Sequence, residues 1–319
     1  MSHTFCFHLL PGFSMMGLMS AIEPLRVANR FHAPHYSWRL LSDDGAAVQA
    51  SNGMSLNVDG ALDGPLSDVS LFVVAGFEPL AGFTPQLASR LRRAERECRV
   101  LGAIDTGSFV LAEAGLLKPG QRVTLHWEAL DAFRERYPQL QPTQELFEID
   151  GRRITSAGGT SSLDLMLGLI AREHGEALAI QVSEQFVLGR IRTRLDHQRM
   201  QITSRYGIHN RKLVQVVGEM ERSTEAPRSP GELAAAVGIT ARQLERLFRH
   251  HLGSTPVTFY LGVRLDKARH LLRQSDMNVL EVALACGFES ASYFARRYRA
   301  RFDVSPRQDR HEAAPAPSS

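Results

Sequence analysis

The chain contains 319 residues, of which 44% are hydrophobic and 22% charged, so most of it should fold, and its length favours two domains over one. The net charge of +3 is unevenly spread: residues 211–311 hold 17 Lys and Arg against 11 Asp and Glu, residues 1–210 hold 20 against 22, and the basic C-terminal part predicts a polyanionic partner. Cys6, Cys98 and Cys286 lie too far apart for a zinc site and no apolar run can cross a bilayer, so we expect a cytoplasmic protein without metal, cofactor or membrane partner.

The first half of the chain alternates short apolar runs with helical patterns. The apolar runs predict strands at residues 5–10, 38–42, 70–75, 100–104 and 121–125. Helical spacing predicts helices at residues 15–30, 85–99, 107–114 and 128–137, and a hairpin at residues 146–156 precedes helices at residues 161–173 and 176–188. This order indicates an α/β doubly wound domain with a parallel sheet, which we place at residues 1–188.

An apolar strand, a sharp turn and a helix follow one another at residues 100–117, which read VLGAIDTGSFVLAEAGLL. In hydrolases such an elbow lifts a nucleophile above the sheet, beside the amides that open the helix. With the segments SAIEPLR at residues 20–26 and TLHW at residues 124–127, it resembles the PfpI/ThiJ-type class I glutamine amidotransferase-like superfamily over residues 4–175.

The catalytic members of that superfamily hold a cysteine at the elbow, a glutamate from the first helix against it, and a histidine after a later strand. The resemblance implies Glu23 and His126 for the last two positions, but Asp105 stands where the cysteine would be. A carboxylate is a poor substitute for a thiolate in nucleophilic attack. We therefore predict no catalytic residue and no enzyme activity.

A ligand pocket remains as the predicted use of the elbow. Glu23 and Asp105 would bring two carboxylates into a partly desolvated site, where like charges favour a bound cation, and the Trp127 ring would attract an ammonium group. The hypothesis is a small cationic or zwitterionic amino compound, such as an amino acid or a betaine. Each residue also has a structural interpretation, since Glu23 can accept backbone amides, Asp105 can cap the elbow helix and Trp127 can belong to the core.

Further residues complete the predicted ligand site. The resemblance places the backbone amides of Gly76 and Phe77 where they would receive a ligand carboxylate. Met15 opens the first helix and would line the same cleft, although methionine at helical spacing is commonly core. The whole predicted set is Met15, Glu23, Gly76, Phe77, Asp105, Thr106, His126 and Trp127.

The chain changes character after the last helix of the first domain. Residues 189–210 are polar and basic, so we interpret them as a linker. From residue 208 onward the pattern is helical, and residues 211–311 are predicted to form an all-α domain. Residues 312–319 are rich in Ala, Pro and Ser and are predicted to be a disordered tail.

The C-terminal domain contains a repeated helix-turn-helix pattern. At residues 233–248, Gly238 stands where the turn needs a left-handed residue, and Thr240 can cap the second helix. The pattern returns at residues 282–298, where Gly287 repeats Gly238 with one extra residue in the turn. A long helix starting at Thr255 and Pro256 joins the two units, so their second helices could enter successive major grooves about 34 Å apart.

Residues 283–306, ALACGFESASYFARRYRARFDVSP, closely follow the second-unit signature of the AraC/XylS family, and the resemblance covers residues 212–310. It implies that the second helix of each unit faces the DNA. Arg242, Arg246 and Arg296 suit bidentate contact with guanine, and arginines such as Arg249 and Arg297 suit phosphate, although any one of them can be part of a solvated face. The residues implied are Arg242, Glu245, Arg246, Arg249, Ala291, Ser292, Tyr293, Arg296, Arg297 and Arg299.

Together the two resemblances identify the chain as similar to GlxA-like regulators, which implies control of amino-acid and betaine catabolism genes. We expect a sequence-specific DNA-binding transcription regulator, an activator and homodimer that works with RNA polymerase and responds to a small-molecule effector. Two alternatives stay open. One is a cysteine-less amidase or glyoxalase-like enzyme with an accessory DNA-binding tail, and the other is a DNA-binding protein whose N-terminal domain only dimerises.

Overall fold

The computed structural model describes residues 3–31 and 36–313. The chain divides into two compact units, Met1–Gln198 and Arg199–Ser319. The division falls inside the segment predicted as a linker, and residues on both sides of it are ordered.

The first unit holds eleven strands and six helices among its described residues. The strands are β1 (His3–Leu9), β2 (Tyr36–Ser42), β3 (Val48–Gln49), β4 (Ser55–Leu56), β5 (Gly60–Ala61), β6 (Val69–Val74), β7 (Val100–Ile104), β8 (Arg122–Thr124), β9 (Gln141–Thr143), β10 (Phe147–Asp150) and β11 (Arg153–Ser156). The helices are α1 (Met15–Phe31), α2 (Pro85–Glu97), α3 (Gly107–Glu113), α4 (Leu130–Arg136), α5 (Ser161–His174) and α6 (Glu176–Glu184), with a 3₁₀ turn at Trp127–Ala129.

Seven strands form the central sheet in the order β10-β11-β7-β6-β1-β2-β5. Neighbouring strands are parallel except the β10–β11 pair at one edge, which is antiparallel. The predicted strand at residues 121–125 forms as β8 but lies outside this sheet, paired with β9. β11 of the β10–β11 hairpin pairs with β7, so β8 cannot join the central sheet at that edge.

Side chains of β1 alternate between the two faces of the sheet. Phe5, Phe7 and Leu9 pack with residues of α1, α5 and α6, whereas Cys6 and Leu10 pack with residues of α2 and α3. Burying a side chain of this size stabilises the fold by about 1.5 to 3 kcal/mol. The sheet is therefore covered on both faces, as the continuous apolar strands predicted.

The second unit is helical throughout its described residues. Its helices are α7 (Ile202–Tyr206), α8 (Arg211–Arg222), α9 (Pro230–Ala236), α10 (Ala241–Leu252), α11 (Pro256–Gln274), α12 (Val279–Ala285), α13 (Ala291–Phe302) and α14 (Pro306–Ala313). Helix α7 lies within the predicted linker, and α14 extends two residues into the predicted disordered tail. Residues 314–319 of that tail lie outside the described residues.

Caps fix the ends of the helices that form the repeat. Ser229 with Glu232 and Thr240 with Gln243 form reciprocal capping boxes at α9 and α10, and Ser290 caps α13 through the amide of Tyr293. Gly238 and Gly287 have φ of +64° and +72°, the left-handed conformation that both turns were predicted to need. None of the described helices is long and apolar enough to span a membrane.

Candidate ligand site and DNA-reading surface

Asp105 lies at the tip of the elbow between β7 and α3. Its φ is +62°, and its N–H donates to the Ser156 carbonyl at 3.0 Å. A Cβ on Gly107 would overlap the Val73 carbonyl, so only glycine lets α3 start this close to the sheet. The turn therefore fixes the backbone of Asp105 in the left-handed region, which Asp adopts more readily than most residues other than glycine.

The Asp105 carboxylate is enclosed by backbone and short polar groups. It accepts hydrogen bonds from the Ser14 side chain and the Thr106 N–H, and a Cβ on Gly158 would overlap it. Within the described residues no Lys or Arg forms an ion pair with it. Burial raises the pKa of Asp105 to about 6, because the nearby His126 and the two hydrogen bonds only partly offset desolvation, and Glu128 raises the pKa further.

The structure does not place Glu23 beside Asp105. Glu23 pairs with Arg26 one turn along α1, with 2.6 Å between Oε2 and Nη2, and its side chain is more than one-third exposed. Ser14, which contacts Asp105, precedes Glu23 by nine residues, and nine residues of helix span roughly 13 Å. The predicted Glu23–Asp105 pair is therefore wrong, and Glu128 supplies the second carboxylate.

His126 and Trp127 form the neighbouring wall of the site. The His126 Nδ1 lies 3.9 Å from Glu128 Oε2, and the ring centroids of His126 and Trp127 are 5.7 Å apart. Both rings are partly exposed. His126 thus lies near two carboxylates, those of Glu128 and Asp105, and beside the Trp127 ring.

The remaining predicted residues have different surroundings. The buried Thr106 hydroxyl donates to the Gly76 carbonyl, and a Cβ on Gly76 would overlap the Gly12 carbonyl, so this stretch of backbone is tightly packed. The Phe77 side chain is 62% exposed. Met15 is partly buried against the core, the alternative that its helical spacing had left open.

Sequence reasoning missed three residues of this site. Ser14 directly precedes α1, Glu128 follows His126 by two positions, and Gly158 has a φ of +82° in the turn before α5. The sequence did offer a signal for Glu128, because it lies two positions after His126, which was predicted to be in the site. Gly158 contacts Asp105 across 53 positions of sequence, a relation that no local pattern carries.

The helices α10 and α13 expose their residues in the same order. In both helices the fourth and eighth positions are buried, Leu244 and Phe248 in α10 and Phe294 and Tyr298 in α13, while the first three positions are exposed. The repeat read from the sequence is thus a repeat of packing. Each helix presents one polar face to solvent, as a recognition helix must.

The α10 face is rich in positive charge. Arg242 and Arg246 are exposed, and within the described residues neither has a carboxylate partner. Glu245 and Arg249 instead pair with each other, with 2.8 Å between Oε1 and Nη2. Two unpaired guanidinium groups one turn apart are suited to base edges or phosphates.

The α13 face combines an aromatic ring with arginine. The Arg296 guanidinium lies 5.6 Å from the centroid of the Tyr293 ring, and Ser292 is exposed beside them. Arg297 differs, because it is only partly exposed and its Nε is buried without a hydrogen-bond partner among the described groups. Arg297 corresponds in position to Leu247 of α10, so part of its side chain belongs to the packing.

Both turns are held by a cation from an adjacent helix. Lys212 Nζ donates to the Gly238 carbonyl at 3.2 Å. Arg264 donates to the carbonyls of Cys286 and Gly287, and its guanidinium lies 4.2 Å from the Phe288 ring centroid. The second turn is therefore fixed by more contacts than the first.

A buried carboxylate joins α11, α13 and α14. The Asp309 side chain is fully buried and accepts hydrogen bonds from Tyr298 at 2.5 Å, Arg269 at 2.8 Å and Arg273 at 2.6 Å. Burial alone would raise the pKa of Asp309, but the bonds from Tyr298, Arg273 and Arg269 outweigh it and hold the pKa below its usual range. The network fixes the orientation of α13.

A cleft of about 350 Å³ opens within the second unit. Its walls include Pro256, Tyr260, Arg264 and Tyr293. Tyr293 therefore lies at the border between the exposed face of α13 and this cleft.

Comparisons with known proteins agree with this arrangement of two units. The sequence profile of the DJ-1/PfpI family matches residues 6–172, and that of a helix-turn-helix domain matches residues 233–312. The HTH-type transcriptional regulator CdhR of Pseudomonas aeruginosa is 68% identical over 97% of this chain and 92% of its own length. The HTH-type transcriptional regulator GlxA of Rhizobium meliloti is 35% identical over 94% of this chain and 93% of its own.

A solved structure shares the N-terminal fold. The crystal structure of an AraC family transcriptional regulator from Pseudomonas putida has 29% sequence identity and a TM-score of 0.50, covering 58% of this chain and 99% of that chain. The α/β fold and both resemblances predicted from the sequence are confirmed.

Proposed function

Because the chain belongs to the family of DNA-binding transcriptional regulators that joins a DJ-1/PfpI domain to an AraC-type helix-turn-helix domain, we propose that its effector binds beside Asp105. The effector is a small cationic or zwitterionic amino compound, such as an amino acid or a betaine. One observation carries this proposal: Asp105 is a largely enclosed carboxylate that lacks a Lys or Arg partner among the described residues.

The chemistry around Asp105 supports this ligand type. A cation bound between Asp105 and Glu128 would stabilise the ionised form of Asp105 against the cost of burial. For each pH unit by which the bound cation lowered the pKa of Asp105, it would gain about 1.4 kcal/mol of binding free energy. The Trp127 ring would accept an ammonium group. The exposed Phe77 and its amide lie along the chain beside Gly76, where a ligand carboxylate would be received.

The absent nucleophile supports sensing over turnover. Asp105 holds the elbow position, and a carboxylate is a poor substitute for a thiolate in nucleophilic attack. The regulator names of the relatives point the same way. Hydrolase activity that Asp105→Asn abolished would contradict this part of the proposal.

At the other end of the chain, Arg242, Arg246 and Arg296 contact bases, and Arg249 and Arg297 contact phosphates. Ser292, Tyr293 and Glu245 complete the reading surface. The regulator acts as a homodimer that activates amino-acid or betaine catabolism genes together with RNA polymerase. The exposed, repeated faces of α10 and α13 support the DNA contacts.

A titration with a matched control tests the ligand site. Full-length protein is titrated with glycine betaine and L-arginine by calorimetry, and its melting temperature is measured in parallel. We expect binding to at least one compound, a loss of about tenfold or more in affinity for Asp105→Asn, and no change for Glu23→Gln, whose carboxylate pairs with Arg26 away from the elbow. No binding of either compound, or equal losses in both variants, would overturn the proposal.

A further inference from the structure

Residues 190–198, which we name the strap, are bound to the surface of the first unit. The Leu146 N–H donates to the Arg194 carbonyl at 3.1 Å, and His197 forms a β-bridge with Glu145. Ile191 packs against the core that contains α5 and α6. The strap therefore has a defined seat, although its polar and basic sequence predicts a linker.

One anchor of the strap is Arg192. Its Nε lies 3.0 Å and its Nη2 2.5 Å from Asp164 Oδ2, and its N–H donates to Asp164 Oδ1 at 3.1 Å. The same guanidinium donates to Thr160 Oγ1 at 2.7 Å. Asp164 is 2% exposed whereas the Arg192 side chain is 34% exposed, so the arginine can return to water but the carboxylate cannot.

A second anchor repeats this asymmetry. Arg194 Nη1 lies 2.7 Å from Glu148 Oε2, and Arg122 binds the other oxygen of the same carboxylate at 2.7 Å. Glu148 is almost fully buried, and Arg194 is 39% exposed. Within the strap, Asp196 accepts bonds from Arg190 and from Thr193, which keeps the segment compact when it is seated.

Gln198 forms the third anchor, at the last residue of the first unit. Its Nε2 donates to Thr124 Oγ1 at 3.1 Å, to the Leu125 carbonyl at 3.1 Å and to the Glu145 carbonyl at 3.0 Å. Leu125 directly precedes His126. Thr124 is itself bound to the elbow helix, since Ser108 donates to its carbonyl at 2.9 Å.

The anchors adjoin two different walls of the Asp105 site. Thr160, held by Arg192, follows Gly158, whose backbone is packed against the Asp105 carboxylate. Leu125, held by Gln198, precedes the His126–Trp127 wall. The strap therefore bridges the two parts of the first unit between which a ligand of Asp105 would bind.

We propose that the strap is the output element of the Asp105 site, and that an effector which contacts both walls holds the strap seated. This inference rests on the proposed function of that site. An occupied site fixes Gly158 and His126 and so fixes the distance between the first and third anchors, Arg192 and Gln198. By thermodynamic linkage, the factor by which the effector favours the seated strap equals the factor by which a seated strap raises effector affinity. In an empty site the walls can move, so Arg192 and Arg194 leave for water more often than in an occupied one.

Release of the strap changes how far the DNA-binding unit can reach. Nine residues of extended chain add up to about 30 Å, close to the roughly 34 Å of one turn of B-DNA. The DNA-binding unit begins at Arg199, directly after the last anchor. Seating the strap thus selects among operator geometries without any change in the recognition helices.

Hydrogen exchange of the strap in the full-length protein tests the anchors. We expect exchange at residues 190–198 to be at least tenfold slower than in an unfolded peptide of the same sequence. Arg192→Gln should raise it about tenfold in protein whose melting curve shows that it is still folded under the exchange conditions. Exchange in the wild type as fast as in the unfolded peptide would overturn the proposal.

Two matched glycine variants test the coupling without any ligand. Gly158 and Gly151 both have positive φ, but only at Gly158 would a Cβ meet Asp105, whereas at Gly151 it would meet open space. We expect Gly158→Ala to raise exchange in the strap about tenfold and Gly151→Ala to leave it unchanged. Equal effects of the two substitutions on strap exchange would overturn the coupling. If Gly158→Ala does not fold, His126→Ala on the other wall replaces it, with the same expected rise in strap exchange.

The ligand arm uses glycine betaine and L-arginine. A compound that raises the melting temperature should slow strap exchange severalfold, and one that binds without slowing it would overturn the proposal. If neither compound binds, the effector class proposed above fails, while the glycine comparison still decides whether the strap is coupled to the site.

Discussion

Each unit contains an aspartate that the fold encloses, and the pKa values of the two are shifted in opposite directions. Asp309 receives two arginines and a tyrosine hydroxyl, and its pKa lies below the usual range although burial opposes ionisation. Asp105 receives only Ser14 and a backbone N–H, and burial raises its pKa to about 6. The residue type is the same, so the difference lies in what the fold supplies around it.

The comparison separates a structural carboxylate from a receptive one. Asp309 has its counterions within the fold, and its bonds join three helices of the second unit. Asp105 has no Lys or Arg ion-pair partner among the described residues. A carboxylate in this state lowers the stability of the fold when it ionises, and under the proposed function a bound cation would restore that stability.

Removing the charge of Asp309 should give the largest effect. Asp309→Asn leaves Arg269 and Arg273 without their shared carboxylate and weakens three hydrogen bonds, and we expect a loss of about 3 kcal/mol in the free energy of unfolding. Both tryptophans, Trp38 and Trp127, lie in the first unit, so the second is followed by calorimetry or by hydrogen exchange in α11.

The matched control is Asp303→Asn, at an exposed left-handed position that asparagine tolerates. It should change stability by less than about 0.5 kcal/mol. Because the pKa of Asp309 is lowered in the folded state, its contribution is present above the unfolded pKa and fades as the pH falls below about 4. Equal stability of the two variants would remove the distinction drawn here.

The same substitution at Asp105 should act in the opposite direction. A carboxyl whose folded pKa is raised destabilises the fold when it ionises, and a rise from 3.8 to about 6 corresponds to roughly 2 to 3 kcal/mol at pH 7.5. Asp105→Asn should therefore stabilise the unliganded first unit at pH 7.5. Urea unfolding followed by tryptophan fluorescence measures it.

The pH dependence supplies the control for this prediction. The wild type should gain stability relative to Asp105→Asn as the pH falls from about 6 to about 4, so the advantage of the variant should fall to roughly one-third by pH 4.5. Glu23→Gln should show no such trend. A variant that is less stable at pH 7.5, or an advantage as large at pH 4.5 as at pH 7.5, would contradict the role given to the charge of Asp105.

Some exposed arginines of the second unit show the opposite situation to Asp105, because they are cations without a carboxylate partner among the described residues. We expect Arg246→Ala and Arg296→Ala each to weaken specific operator binding by about 1 to 3 kcal/mol, because each would lose contacts to a base edge. Binding is measured with the full-length protein at matched salt. The control is Arg222→Ala, which removes a partner of Glu219 in α8. If both variants bound the operator as tightly as Arg222→Ala does, the proposed base contacts of Arg246 and Arg296 would be refuted.

Local pattern was sufficient where a feature is made by neighbouring residues. The elbow at Asp105 and the turns at Gly238 and Gly287 each depend on a few consecutive positions, and all three were predicted. Glu23 was misplaced because its position depends on where α1 begins and how far a helix carries a side chain. The first turn of that helix, not its third, meets the elbow.

Long-range ion pairs were beyond the reach of the sequence. Arg192 and Arg194 look like solvated linker charges until their partners Asp164 and Glu148, which lie 28 and 46 positions earlier, are known. A buried carboxylate in a helix or strand gives no local sign of the arginine that will neutralise it. The strap was therefore visible only in the structure.

Effector affinity as a function of pH tests the central claim most directly. Full-length wild type and Asp105→Asn are titrated with a compound that binds the wild type, at pH 5.0 and 7.5. With the pKa of Asp105 at about 6, we predict that affinity for a permanently charged betaine rises about tenfold between these pH values in the wild type and stays flat in the variant. The same pH dependence in both proteins, or none in the wild type, would contradict the account of Asp105 as the carboxylate that binds the effector.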